Sequence, residues 1–368
     1  MAADFPSTPE ESDAMRLQVC LKNIIPPDEA LLTEAMNHIN NLTKPLGSLG
    51  RLEELAAKLF AIQGGKRPLA ADPAGIITIA ADHGVAEEGV SPVPRIVTRR
   101  QVQNFLKGGG GISVLCRANN ITHLVVDAGV AGEDFPEHPL LVRHKIASGT
   151  ANITRGPAMT RKECLEALGL GIKLANKAGE DGIRCLGAGE MGIGNTTPST
   201  ALFSALYDLA PEDITGPGAG LAPAKLACKI AVIRKALAAN KDAAKSSDPL
   251  TLLSALGGLE IAAMTGLILG SAAKRIPMMI DGFISTAAYA VARAFAPAVR
   301  HYCFCAHASA EPGYALIMQK MGERPLVDLD FRLGEGTGSV FGIVFLRSAA
   351  AMFNDMATFS SAEVSAGS

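Results

Sequence analysis

The chain has no tryptophan and only 4 tyrosines, and aromatic residues make up 5% of its 368 positions. That scarcity does not make it disordered, because 48% of the residues are hydrophobic and can build a core from aliphatic side chains and alanine. An excess of charge of one sign is also missing. The 34 Lys plus Arg stand against 36 Asp plus Glu, a net charge of −2. This excludes a nucleic-acid binder that works through a broad basic surface, although a local basic pocket for a single phosphate stays compatible. No long apolar run is present. The longest uncharged apolar stretch, Ile261 to Ala273, falls short of the roughly 20 residues that cross a bilayer and reads as a buried helix, so no membrane association is expected. The seven cysteines are odd in number and mostly sit in apolar runs, which suits reduced core thiols rather than a disulfide framework. Asp4, Glu10 and Glu11 stand where a secretory signal needs a basic start and an apolar segment, so a cytoplasmic location is expected. There is no internal repeat of fixed period.

What is present is 38 glycines and 21 prolines, the mark of many tight loops between small-residue helices. Short β-rich runs alternate with longer helical patterns. The clearest runs are residues 75–85, 122–130, 182–191, 276–283 and 298–308, each with Asp, His, Gly or Glu at or near its end. Helical patterns cover 97–106, 111–118, 161–178, 199–209, 222–239, 249–273 and 285–296. This alternation predicts an α/β fold: a doubly wound, mainly parallel sheet with helices on both faces. In such a sheet ligands sit outside the carboxyl ends of the strands, where the polar residues fall. Segments 49–60 and 338–359 lack strand partners and are expected to pack together. The expected organisation is a frayed lead over 1–14, a large α/β domain over 70–335, and a small helical domain from 15–60 with 338–362. The last residues, Glu363 to Ser368, are expected to fray.

The densest site signal is Gly187-AGEMGIGNTTPS-Thr200, a strand followed by glycines and then a helix. Glycines let backbone N–H groups approach an anion, and a helix N-terminus favours negative charge. The first residues satisfy G-x-G-x-x-G, the dinucleotide fingerprint, but no second strand ending in an acid follows about 20 residues on. A tight structural turn and a monophosphate cradle are the remaining readings, and the cradle is the preferred one. Arg332-LGEGT-Gly338 places Glu335 between glycines before an apolar helix, either as a capping or solvated glutamate or as a general base poised by partial burial. His301, Cys303, Cys305 and His307 alternate. On one strand they would form a row about 20 Å long, too extended for one metal ion whose bonds are about 2.0–2.3 Å. No metal site is expected. Asp82 and His83 could act as acid and base at a strand end or simply stabilise a loop. Gly108 to Gly111 ends one helix and starts another.

Taken together, the motifs resemble the nicotinate-nucleotide:dimethylbenzimidazole phosphoribosyltransferases. The resemblance is carried by Lys44-PLGSLGRLEELA-Ala57, Ala81-DHGVAEEGVSPVP-Arg95, Gly149-TANITRGPAM-Thr160, Gly187-AGEMGIGNTTP-Ser199, Met264-TGLILG-Ser271, Asp281-GF-Ile284, His307-ASAE-Pro312 and Arg332-LGEGTG-Ser339. It implies transfer of a 5-phosphoribosyl group from nicotinate mononucleotide to dimethylbenzimidazole or a related base, in assembly of the cobalamin nucleotide loop, with no cofactor. It further implies Glu335 as the general base, and Gly192, Gly194 and Asn195 around the 5′-phosphate with Lys229 supplying a cation. Glu190 would face the ribose or the developing charge, and Gln101 would lie beside the flat base. Ser309, Arg332 and Gly334 would lie on the nicotinate and ribose side. A homodimer is implied as well. Ser91-PV-Pro94 and Arg95 differ from the forms associated with dimethylbenzimidazole use, which leaves the accepted base open. Two other classes compete: a non-catalytic nucleotide-binding regulator using the Gly187 loop, and an NAD-dependent oxidoreductase, which the missing ribose acid disfavours.

Overall fold

The computed structural model describes residues 9–362. Six strands, β1 (Ala74–Ala81), β2 (Thr122–Gly129), β3 (Leu141–Arg143), β4 (Cys185–Met191), β5 (Met278–Ile280) and β6 (Cys303–Cys305), form one all-parallel sheet in the order β3-β2-β1-β4-β5-β6. β1 is buried along its whole length, as expected for a parallel strand covered by helices on both faces. The order reverses between β1 and β4, so a crevice opens at their carboxyl ends. A second, two-stranded parallel sheet joins β7 (His307–Ala308) to β8 (Val327–Asp328).

The helix Arg161–Glu180 starts on a capping box between Thr160 and Glu163. It lies against the helix Leu259–Ala273, which is buried almost all round. Glycine is required at this crossing: a Cβ on Gly171 would lie 2.8 Å from the Gly266 carbonyl carbon, and one on Gly266 would lie 2.8 Å from that of Leu168. The Met264–Ser271 motif is therefore a packing surface. Among the described residues no helix is long and apolar enough to cross a membrane. The helix Thr337–Asp355 packs on the sheet and on the helix Arg51–Ile62, with the Phe60 and Phe353 rings 5.4 Å apart. Helices from the two ends of the chain thus pack together, as segments 49–60 and 338–359 were expected to do.

Several expectations change. The lead expected over 1–14 falls partly outside the described residues, and from Pro9 the chain is already helical (Pro9–Lys22); Leu17 and Cys20 are buried, and the helix packs on Arg161–Glu180. The expected fraying of 363–368 lies outside the described residues. The helix expected over 249–273 is two, Pro249–Leu256 and Leu259–Ala273, separated at Gly257 and Gly258. The strand expected over 298–308 is a 3₁₀ turn at Pro297–His301, then β6, then β7 in the other sheet. His301, Cys303, Cys305 and His307 consequently never form a row. All seven cysteines are free and six are buried, Cys228 being the exposed one.

Candidate active site

A cleft of about 740 Å³ opens at the β1/β4 reversal. β4 delivers Glu190 to it, and the chain then turns through Gly192-Ile-Gly-Asn195 into the helix Thr196–Tyr207. The turn is closed by Asn195 N–H to the Gly192 carbonyl (3.1 Å) and Thr197 N–H to the Gly194 carbonyl (3.0 Å). Gly194 has φ +94°, a conformation that favours glycine. Asn195 does not cap the helix; its side-chain amide donates to Glu190 instead. The helix therefore presents its partial positive charge to the cleft. Behind its first residue stands Lys229, buried on the helix Pro223–Ala239, donating to Thr196 Oγ1 and the Gly216 carbonyl, both at 2.8 Å. Burial pulls its ammonium down to about 8, against the opposing pull of the Glu311 carboxylate.

Glu335 faces the same cleft. Gly334, Glu335 and Gly336 all have positive φ, +80°, +64° and +99°. For glutamate this conformation is strained, the kind of local cost that surrounding structure must hold in place. The carboxylate is buried, with Oε1 accepting from Gln101 Nε2 (2.7 Å) and Oε2 from the Ile112 amide (3.2 Å) at the start of the helix Gly111–Ala118. Burial raises its pKa; the Ile112 and Gln101 donors oppose this, and the Asp281 charge adds to it. Glu190, also buried, is pushed up to about 8 by that burial and by the Glu260 and Asp281 charges, against the Asn195 hydrogen bond. Asp281, at the end of β5, receives the amides of Gly336 (3.1 Å), Gly338 (2.6 Å) and Ser339 (3.3 Å) and so anchors the Glu335 loop. Part of the cleft wall is apolar, with Val90, Val93, Val97, Leu115 and Met191 among its lining, a surface suited to a flat ring.

The cleft brings together nine of the ten residues expected from the sequence: Glu335, Glu190, Gly192, Gly194, Asn195, Gln101, Ser309, Arg332 and Gly334 all line it. Lys229 lies one layer behind, reaching it through Thr196. The first two glycines of the fingerprint do something else. Gly187 and Gly189 lie inside β4, where a Cβ would meet Ser339 Cβ at 2.7 Å and the Glu335 carbonyl carbon at 2.6 Å; they let the Glu335 loop lie directly on the strand. Asp82 accepts from the Ala131 amide at 2.8 Å and supports a loop. His83 is paired with Glu260 at 2.6 Å, both fully buried. Sequence reading missed Glu260, Thr78, His123 and the role of Gly111 and Ile112. Asp281 could have been found, since it ends a β run as a ligand-side residue should.

The α/β fold and its cleft, with a helix start and an apolar wall in one crevice, are those of an enzyme for small ligands, and a family model described as a phosphoribosyltransferase matches residues 24–364. The chain is 54% identical over 349 residues to the nicotinate-nucleotide--dimethylbenzimidazole phosphoribosyltransferase of Nitratidesulfovibrio vulgaris (strain DP4), covering 95% of this chain and 98% of that protein. It is 56% identical over 348 residues to the protein of the same name from Oleidesulfovibrio alaskensis, covering 95% and 97%. The crystal structure of the Thermus thermophilus phosphoribosyltransferase of that name superposes with a TM-score of 0.85 at 41% identity, covering 92% of this chain and 100% of that one. The chain belongs to this family of phosphoribosyltransferases.

Proposed function

We propose that the protein transfers the 5-phosphoribosyl group of nicotinate mononucleotide to 5,6-dimethylbenzimidazole or a related base, giving α-ribazole 5′-phosphate and nicotinate for the nucleotide loop of cobalamin. The buried Glu335 carboxylate, in the same cleft as an anion-attracting helix start, carries this assignment. Nicotinate leaves from a cationic pyridinium, so it needs neither a proton nor a cofactor. The attacking benzimidazole must lose its N–H proton, and Glu335 accepts it. Gly192, Gly194 and Asn195 hold the 5′-phosphate, with the Lys229 charge behind them. Glu190, protonated through most of the neutral range because burial lifts it to about 8, faces the ribose as a hydrogen-bond donor. Gln101 orients Glu335 beside the base, and Ser309, Arg332 and Gly334 flank the nicotinate and ribose. Catalysis depends largely on holding two partners in line for a single displacement. The enzyme works as a cytoplasmic homodimer.

The test is incubation of the pure protein with nicotinate mononucleotide and a panel of benzimidazoles, purines and phenols, with products read by mass. Nicotinate and one riboside phosphate should appear in equal amounts with at least one benzimidazole. No product with any base would overturn the assignment. The phosphate position has its own test in Gly194→Val. Space is not limiting, since a Cβ there meets nothing closer than Ala86 Cβ and Val90 Cγ2 at 3.6 Å, but φ is +94°. Forcing a β-branched residue into this conformation costs about 1–3 kcal/mol. Affinity for nicotinate mononucleotide should fall about tenfold or more with the circular dichroism unchanged. Unaltered affinity would place the phosphate elsewhere.

A further inference from the structure

Behind the Glu335 loop runs a buried polar circuit that no step above uses. Thr78, on β1, donates its hydroxyl proton to the Glu335 carbonyl at 2.9 Å. Its oxygen faces His123 Nε2, on β2, at 3.0 Å, and His123 Nδ1 faces Ser113 Oγ at 3.4 Å. Ser113 follows Ile112, whose amide holds the Glu335 carboxylate, so the circuit closes on the same residue from backbone and side chain. Thr78, His123 and Ser113 are all buried, and Phe105 stands edge-on to the imidazole with centroids 6.0 Å apart. The proton directions follow from the partners. The Glu335 carbonyl can only accept, so the Thr78 hydroxyl must donate to it; Thr78 Oγ1 then accepts, so His123 carries its proton on Nε2 and leaves Nδ1 unprotonated, beside a Ser113 hydroxyl whose one proton is shared with the Phe105 carbonyl at 3.2 Å. Burial pulls the imidazole down to about 4 and so keeps it neutral.

We propose that Thr78 and His123 are positioning residues for the transfer reaction: the imidazole orients the Thr78 hydroxyl, which pins the left-handed Glu335 backbone and thereby aims its carboxylate at the incoming base. Nothing in the circuit touches the cleft, so its effect passes through Glu335 alone, and the proposal rests on Glu335 being the base. A buried hydrogen bond of this kind fixes geometry because neither partner has water as an alternative.

The experiment uses the full chain with Thr78→Val, which keeps the shape and removes the hydroxyl, Thr78→Ser, which restores it, and His123→Phe. Turnover per folded molecule should fall roughly 10- to 100-fold in Thr78→Val, the scale of a misplacement near 1 Å, with KM for nicotinate mononucleotide within about twofold. Thr78→Ser should recover most of the rate, and His123→Phe should resemble Thr78→Val. In a Glu335→Gln background, Thr78→Val should add little further loss. A Thr78→Val turnover within twofold of wild type overturns the proposal, as does an undiminished loss in the Glu335→Gln background. Should Glu335→Gln alone keep full turnover, it is the base assignment that fails. If His123→Phe does not fold, the threonine pair with the double variant decides.

Discussion

Glu335→Gln should lower turnover by roughly 10²- to 10⁴-fold, the usual contribution of a general base, while binding of both substrates changes little. Glutamine keeps the size of the side chain and one oxygen for the Gln101 or Ile112 donor but cannot take the proton. The pH profile supplies a second reading. A base must be ionised to work, and the Glu335 pKa is raised, by burial first and by Asp281 in addition, against the Ile112 and Gln101 hydrogen bonds. The rate should therefore be full above that raised value and fall as pH drops through it, at a higher pH than an ordinary glutamate would give. In Glu335→Gln this acid limb should disappear. Glu190, lifted to about 8, contributes any limb of its own on the alkaline side, and that limb should remain. A variant with near-normal turnover and an intact acid limb would mean that the base is another group.

The second large effect is expected from a residue with no side chain. In Gly189→Ala the new Cβ would lie 2.6 Å from the Glu335 carbonyl carbon and 2.8 Å from the Gly336 nitrogen. Those atoms are main chain and cannot rotate away, and the loop is tied down by Thr78 on one side and Asp281 on the other. The loop must shift, and a displacement of about 1 Å at the reacting group costs on the order of 10²-fold in rate. Overpacking of this sort also destabilises by about 1–3 kcal/mol. Turnover of soluble Gly189→Ala should thus fall about 10²-fold, with a lowered melting temperature. Gly75→Ala is the control, because its Cβ would meet nothing closer than 3.6 Å and its rate should stay within about twofold of wild type. Equal rates for the two variants would show that the loop accommodates the methyl without moving the carboxylate.

The long apolar runs announced β1, β2 and β4, and the helix Gly111–Ala118 falls on the residues expected for it, because burial on both faces or on one helical stripe leaves a plain pattern. β5 and β6, three residues each, fall inside the runs expected over 276–283 and 298–308, whereas β3, also three residues, is too short to carry a period and matched no expected run. Proline at 297 opens a helical turn inside what reads as a strand. Seven of the nine expected residues found in the cleft sit in two short glycine-rich motifs, 190–195 after β4 and 332–335 before the last helix, which makes them visible in one dimension, whereas Gln101 lies inside a helix and Ser309 in a loop after β7. Thr78, His123 and Glu260 are the opposite case: each sits inside an apolar segment, and only its partner across the fold, 257, 45 or 177 positions away, shows what it does. Gly187 and Gly189 mislead for a related reason, since a glycine that lets a loop touch a strand has the same one-letter code as one that lets a phosphate approach.

The inventory of thiols carries a practical consequence. With six cysteines buried and Cys228 exposed, the native chain offers a single handle for maleimide chemistry, adjacent in sequence to Lys229. A fluorophore attached there would ride on the solvent side of the helix whose inner side reaches the anion-attracting turn, and could report occupancy of that end of the cleft in real time without any engineered mutation.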